Sequence, residues 1–203
     1  MNLKYSLIVQ LMLLCFPWRL RRFLLVQLLQ FKIGENARVG LSVIIADEVE
    51  LGVNASMGHF NLIKHLDYFI MKESSIFGSF NWMCGSPGRT RGNASRSGFI
   101  LGKSSAVTSR HFLDAQYTIH IGEFSTIAGV RSTIFSHSMN LYNCKQGGSP
   151  VVIGDYAFVG SNALILPGVN IADRVIVGAG VTLTKSEYES DMIYLGASGK
   201  AKV

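Results

Sequence analysis

Five histidines, His59, His65, His111, His120 and His137, are the side chains of this 203-residue sequence that could move protons near neutral pH. An unperturbed imidazole titrates at about pH 6.5, so it can act as a general base, a general acid or a metal ligand. Zinc needs three or four converging donors. His111, His120 and His137 are nine and seventeen residues apart, and the cysteines Cys15, Cys84 and Cys144 form no Cys-x-x-Cys pair, so no metal is expected. The odd cysteine count also argues against a disulfide framework and for a reducing compartment. His59 and His65 share one phase of a repeat and read as surface or interface residues. His137 stands out by its surroundings: Phe135-Ser136-His137 leads directly into the polar stretch 138–150, after which Val151-Val152-Ile153 restores an apolar pattern. His111 and Asp114 share one short segment, where they could orient a substrate or His137, or simply satisfy each other.

The elements that must position these residues come from a repeat of six. An aliphatic side chain recurs at Ile33, Val39, Ile45, Leu51, Met57 and Ile63, with a small residue after each of the first five. The pattern slips by one to Ile70, Ile76 and Trp82, returns at Leu101, Val107, Leu113 and Ile119, and continues two residues out of phase at Ile121, Ile127, Thr133 and Met139. It is cleanest at Ile153, Val159, Ile165, Ile171, Val177 and Leu183. A hexapeptide period is the signature of a parallel β-helix, where each repeat supplies a short strand and a turn, and stacked coils bury the aliphatic column. Residues 33–185 then make about eight coils, with 84–98 and 138–150 ejected as loops. Between Glu73 and Asp114 the chain carries Arg89, Arg91, Arg96, Lys103 and Arg110 and no acid, a composition able to grip phosphate.

Hydrophobic residues make up 48% and charged residues 16%, with mean hydropathy +0.29, which excludes a disordered chain. The net charge of +6 sits at one end: residues 1–32 hold Lys4, Arg19, Arg21, Arg22 and Lys32 without an acid, while the rest has 14 basic and 13 acidic residues. The body is therefore not basic, and no nucleic-acid partner is expected. The apolar runs in 1–32 fall short of the roughly 20 residues of a spanning helix, and Pro17-Trp18-Arg19 offers no cleavage site for a signal peptide. Leu20, Leu24, Leu28 and Phe31 lie at helical spacing, with Arg19, Arg22, Gln27 and Gln30 away from them. Such a helix either lies on an anionic membrane surface, or caps the β-helix or packs against a neighbouring subunit.

Three later stretches, Pro150-Val151-Val152-Ile153-Gly154-Asp155, VGSNALILPGV and VGAGVTLTK, resemble the hexapeptide-repeat acetyltransferases, specifically the maltose, galactoside and polysaccharide O-acetyltransferase branch. The similarity is specific over 101–185 and general over 33–82. It implies an all-β fold, a left-handed parallel β-helix at 33–185, here with an N-terminal α-helical appendage at 1–32 and a C-terminal tail at 186–203. It implies acetyl-CoA as co-substrate, a homotrimer with the co-substrate lying between adjacent β-helices, and His137 as general base. Acetyl-CoA contacts carry over to Ser161, Ala179, Thr184, Lys185 and Lys200. Thr108 stands where the sugar enzymes have an acceptor-binding asparagine, which points to a different acceptor. The activity implied is O-acetylation of a sugar hydroxyl on a bacterial surface polysaccharide or its lipid-linked precursor, in the cytoplasm or on the cytoplasmic face of the membrane. The alternatives are an N-acetyltransferase acting on an amino-sugar nucleotide and a non-catalytic β-helical assembly protein.

Overall fold

The computed structural model describes residues 3–86, 96–142, 144–184, 186–197 and 200–202. Two helices, α1 (Leu3–Leu13) and α2 (Trp18–Leu29), precede a three-walled parallel β-helix. The first wall stacks Trp82–Cys84, Phe112–Asp114, Thr133–Phe135, Leu164–Ile165 and Thr182–Leu183. The second stacks Gly98–Leu101, Ile119–Ile121, Val151–Ile153, Asn170–Ile171 and Glu187–Tyr188, and the third runs in eight parallel rungs from Arg38–Val39 to Ile193–Leu195. Two long strands, Val43–Leu51 and Leu62–Met71, bend from the first wall onto the second. The rungs continue past the segment expected to end the solenoid, since Glu187–Tyr188 and Ile193–Leu195 still pair in parallel, and Lys200–Lys202 then folds back antiparallel.

The repeat works as a column of inward side chains. Met57, Phe77, Val107, Ile127, Val159 and Val177 stack on the third wall at 0–2% exposure, each such burial contributing roughly 1.5–3 kcal/mol. Two phases of the expected repeat are corrected. Ile76 and Trp82 point outward at 54% and 49% exposure, while Met71, Phe77 and Met83 face the core; likewise Ile134, not Thr133, is buried. The slip has a physical cause: the inward positions run from Ile63 to Met71 and from Leu113 to Ile121 in steps of eight, because the corner between first and second walls takes extra residues. The corner leading into the third wall is turned at every coil by a left-handed residue, among them Asn36, Asn54, Ser74, Ser104, Phe124, Tyr156, Arg174 and Asp191, with φ between 54° and 60°. That conformation costs a side chain about 1–2 kcal/mol, offset by inter-coil bonds such as Phe124 N–H to the Lys103 carbonyl and Tyr156 N–H to the Glu123 carbonyl.

The helices close the first coil. Gln10 pairs with the backbone of Ile44 as a strand would, donating to its carbonyl (2.6 Å) and accepting from its N–H (2.8 Å). The Arg21 guanidinium donates to the carbonyls of Val39 and Gly40, and Arg22 to those of Ile33 and Gly34. The face of α2 that packs inward is therefore Arg21, Leu25 and Leu29, whereas Leu20 and Leu28 are exposed. An arginine takes an inner position because the open end of a β-helix presents unpaired carbonyls.

Candidate active site

Both interruptions of the repeat leave from one corner. First-wall strands end at Lys64, Cys84, Asp114 and Phe135, which stack in register. In these coils the second wall resumes only after three, thirteen, four and fifteen residues, at Tyr68, Gly98, Ile119 and Val151. Residues 87–95 of the first loop, including Arg89 and Arg91, lie outside the described residues. The second loop is a hairpin of His137–Asn140 against Lys145–Gly148.

His137 opens that hairpin, and its Nδ1 meets Oδ2 of Asp114 from the preceding coil. Asp114 is buried and its other oxygen accepts from the Gln116 N–H (3.3 Å). Burial pushes the Asp114 carboxyl above its ordinary range, and the adjacent His137 opposes that shift. The His137 side chain remains 30% exposed, so with Nδ1 engaged inside, Nε2 is the nitrogen left to meet a substrate. The corner is locked from behind. Ser136 donates through N–H and Oγ to the Asp114 carbonyl (3.1 and 2.6 Å), its Oγ accepts from Tyr117 N–H, and its carbonyl accepts from Ser149 N–H. Gly148, opposite His137 in the hairpin, has no room for a side chain: a Cβ there would stand 2.3 Å from the Ser136 carbonyl oxygen and 2.8 Å from His137 Cα. Gln146 on the hairpin donates to Gln116 on the corner (2.6 Å). Gln116 and Gln146 escape sequence reasoning because they lie 30 residues apart, and Gly148 because its close approach to Ser136 and His137 exists only once the hairpin has closed.

His111 sits elsewhere, at the corner between third and first walls, as a rung in a polar ladder. Asn61 Oδ1 accepts from Asn81 N–H, Asn81 Oδ1 from His111 N–H, His111 Nδ1 from Ser132 N–H, and Ser132 Oγ from Ala163 N–H. Because Nδ1 accepts, Nε2 carries the proton and faces Thr108 Oγ1 at 2.9 Å. Burial holds the His111 pKa down at about 4, so the ring is neutral. Both ring nitrogens are thus committed away from the His137–Asp114 pair.

The residues matched to acetyl-CoA contacts fall on more than one corner. Ser161 and Ala179 stand one coil apart where the third wall meets the first. Thr184 follows Thr182–Leu183 at the His137 corner, two coils along from Phe135. Lys200 is exposed on the third wall opposite Leu195, and Lys185 lies outside the described residues. Among the described residues, no group of three histidine, cysteine or acidic side chains is placed to hold a metal ion.

A family profile described as the hexapeptide repeat of succinyl-transferase matches residues 150–185. The galactoside O-acetyltransferase of Escherichia coli (strain K12) is 36% identical over 73 residues, 34% of this chain and 36% of that protein. The chain spans little more than a third of the length of the curated relatives it matches. Among solved structures, a hexapeptide-repeat acetyltransferase from Vibrio cholerae O1 biovar eltor, complexed with acetyl coenzyme A, aligns with TM-score 0.54 at 16% identity, covering 98% of this chain and 84% of that one. An N-acyltransferase from Bacillus cereus, in complex with dTDP and coenzyme A, aligns with TM-score 0.55 at 14% identity, covering 90% and 87%. The fold is thus the left-handed β-helix of the hexapeptide-repeat acetyltransferases, with two helices added at its first coil.

Proposed function

We propose that this chain is an acetyl-CoA-dependent O-acetyltransferase acting on a sugar hydroxyl of a bacterial surface polysaccharide or its lipid-linked precursor. The observation that carries this function is the buried carboxylate of Asp114 against Nδ1 of an otherwise accessible His137. The Asp114 carboxylate beside Nδ1 favours the tautomer that carries its proton there, which leaves the Nε2 lone pair for the acceptor. Acetyl-CoA supplies an acetyl group activated as a thioester. His137 Nε2 takes the acceptor's hydroxyl proton as that oxygen bonds the acetyl carbon, and returns it to the sulfur as the C–S bond breaks. Asp114 offsets the positive charge on the ring between these two transfers, and base catalysis of this kind contributes about a hundred- to ten-thousandfold. The His137 corner offers an exposed Thr184, and the next corner offers Gly160-Ser161 and Gly178-Ala179, small residues that let a pantetheine arm approach the backbone. One chain holds these groups on separate corners, which supports a trimer in which a neighbour's Ser161 and Ala179 complete each site.

Calorimetric titration with acetyl-CoA, followed by thiol release over a panel of glycans and amino-sugar nucleotides, tests the assignment. His137→Ala is expected to keep acetyl-CoA affinity within about threefold while transfer falls at least a hundredfold. Asp114→Asn should reduce kcat more than KM. Saturable binding with undiminished transfer in His137→Ala would refute the base, absence of binding would favour an assembly protein, and transfer confined to amines would assign N-acetylation.

A further inference from the structure

The cap has an outer side that closing the β-helix does not use. Ile8, Leu11 and Met12 occupy one face of α1 at 51–67% exposure, and Phe16, Phe23 and Val26 continue the exposed apolar surface at 36–59%. Beside this surface two cavities meet at Arg19 and Arg22. One, of about 330 Å³, is lined by Trp18, Arg19, Arg22, Asn36, Ala37 and Arg38. The other, of about 340 Å³, is lined by the same two arginines with Phe23, Val26 and Ile33. Three arginines and no acidic residue line the first, Arg22 there also donating to the Ile33 and Gly34 carbonyls; Phe23, Val26 and Ile33 join two of the arginines in the second.

We propose that these capping helices dock the protein on an anionic lipid surface, with a phosphodiester headgroup in the arginine-lined cavity and acyl chain against Phe23, Val26 and the exposed face of α1. The chemistry on the page selects this occupant. Guanidinium forks recognise phosphate oxygens, and an adjoining apolar cleft fits the chain of the same molecule, which a free phosphate does not have. A second copy meeting this face about a two-fold axis would bring both copies' Arg19, Arg22 and Arg38 into one interface, a concentration of like charge that anionic lipid replaces with attraction. Membrane-surface helices of this kind hold apolar residues in the headgroup boundary and cations at the phosphates. Among the described residues no helix is long and apolar enough to cross a membrane, so contact is peripheral. This proposal does not rest on the catalytic assignment.

Co-sedimentation of the full chain with vesicles tests it. Vesicles containing about 30% phosphatidylglycerol in phosphatidylcholine should bind roughly tenfold more protein than phosphatidylcholine alone, and added salt should release it. Arg19→Glu with Arg38→Glu should abolish the preference for phosphatidylglycerol, and Met12→Ser with Phe23→Ser should reduce binding roughly tenfold to either vesicle. All four side chains are exposed, and an unchanged thermal midpoint and circular dichroism spectrum would show intact folding. Equal binding by wild type and variants overturns the proposal, as does no binding to phosphatidylglycerol vesicles. Calorimetric retention of inorganic phosphate without vesicle binding would assign a free-phosphate site instead. Self-association lost in Phe23→Ser, again without vesicle binding, would assign the face to a second copy.

Discussion

Two histidines with adjacent roles in the sequence have opposite chemistry in the fold. His137 has one nitrogen on a buried carboxylate and the other available, whereas His111 spends both nitrogens on holding coils together. His111 occupies the position that Asn61 and Asn81 fill in the preceding coils, accepting the next coil's N–H as they do. Its folded-state pKa of about 4 lies below the ordinary 6.5, so between those values the unfolded chain binds the extra proton. Stability should be full above pH 6.5 and fall as pH drops towards 4, by an amount on the order of 2–3 kcal/mol. His111→Asn is expected to keep the ladder, cost no more than about 1 kcal/mol at neutral pH, and remove that acid sensitivity. Denaturant melts at pH 7 and pH 4.5 measure both effects, and an unchanged pH dependence would show that another group controls it.

At the scale of elements, the corner between first and second walls is where the chain departs from regularity, and the proposed general base stands at that departure. Extra residues there shift the repeat, eject both loops and place His137 on a hairpin backed by Ser136, Gly148 and Tyr117. The cap shows the opposite use of irregularity: side chains imitate a missing coil. Arg21 is buried, and desolvation lowers its pKa below the usual guanidinium range, yet it stays in place because two end-coil carbonyls accept from it. Arg21→Leu should cost about 1.5–3 kcal/mol, the value of hydrogen bonds to a charged donor. The midpoint of urea unfolding reads this directly, and no shift would mean that α2 is held by Leu25 and Leu29 alone.

For the whole molecule, the separation of Ser161 and Ala179 from Thr184 and His137 makes assembly a condition of activity in the proposed trimer. Coexpressing His137→Ala with Ser161→Trp, each inactive alone, should restore partial transfer, because some interfaces then combine an intact His137 from one copy with an intact Ser161 from its neighbour. No recovery in mixed oligomers would place a complete site within one chain.

The β-helix was legible in the residues alone, because a six-residue period is written in side chains whose burial is local to each coil. The sequence also marked His137, since the repeat breaks there. What it did not carry is which residues share a corner. His111 and Asp114 are three apart yet face different networks, while Asp114 and Ser136 are 22 apart and bonded. A solenoid brings together residues one coil distant, and coil length here varies with the corner insertions, so only the folded chain decides the pairing. Likewise the helical spacing in 1–32 was legible, but the end-coil carbonyls that draw Arg21 inward and leave Leu20 and Leu28 outside exist only once the first coil has formed.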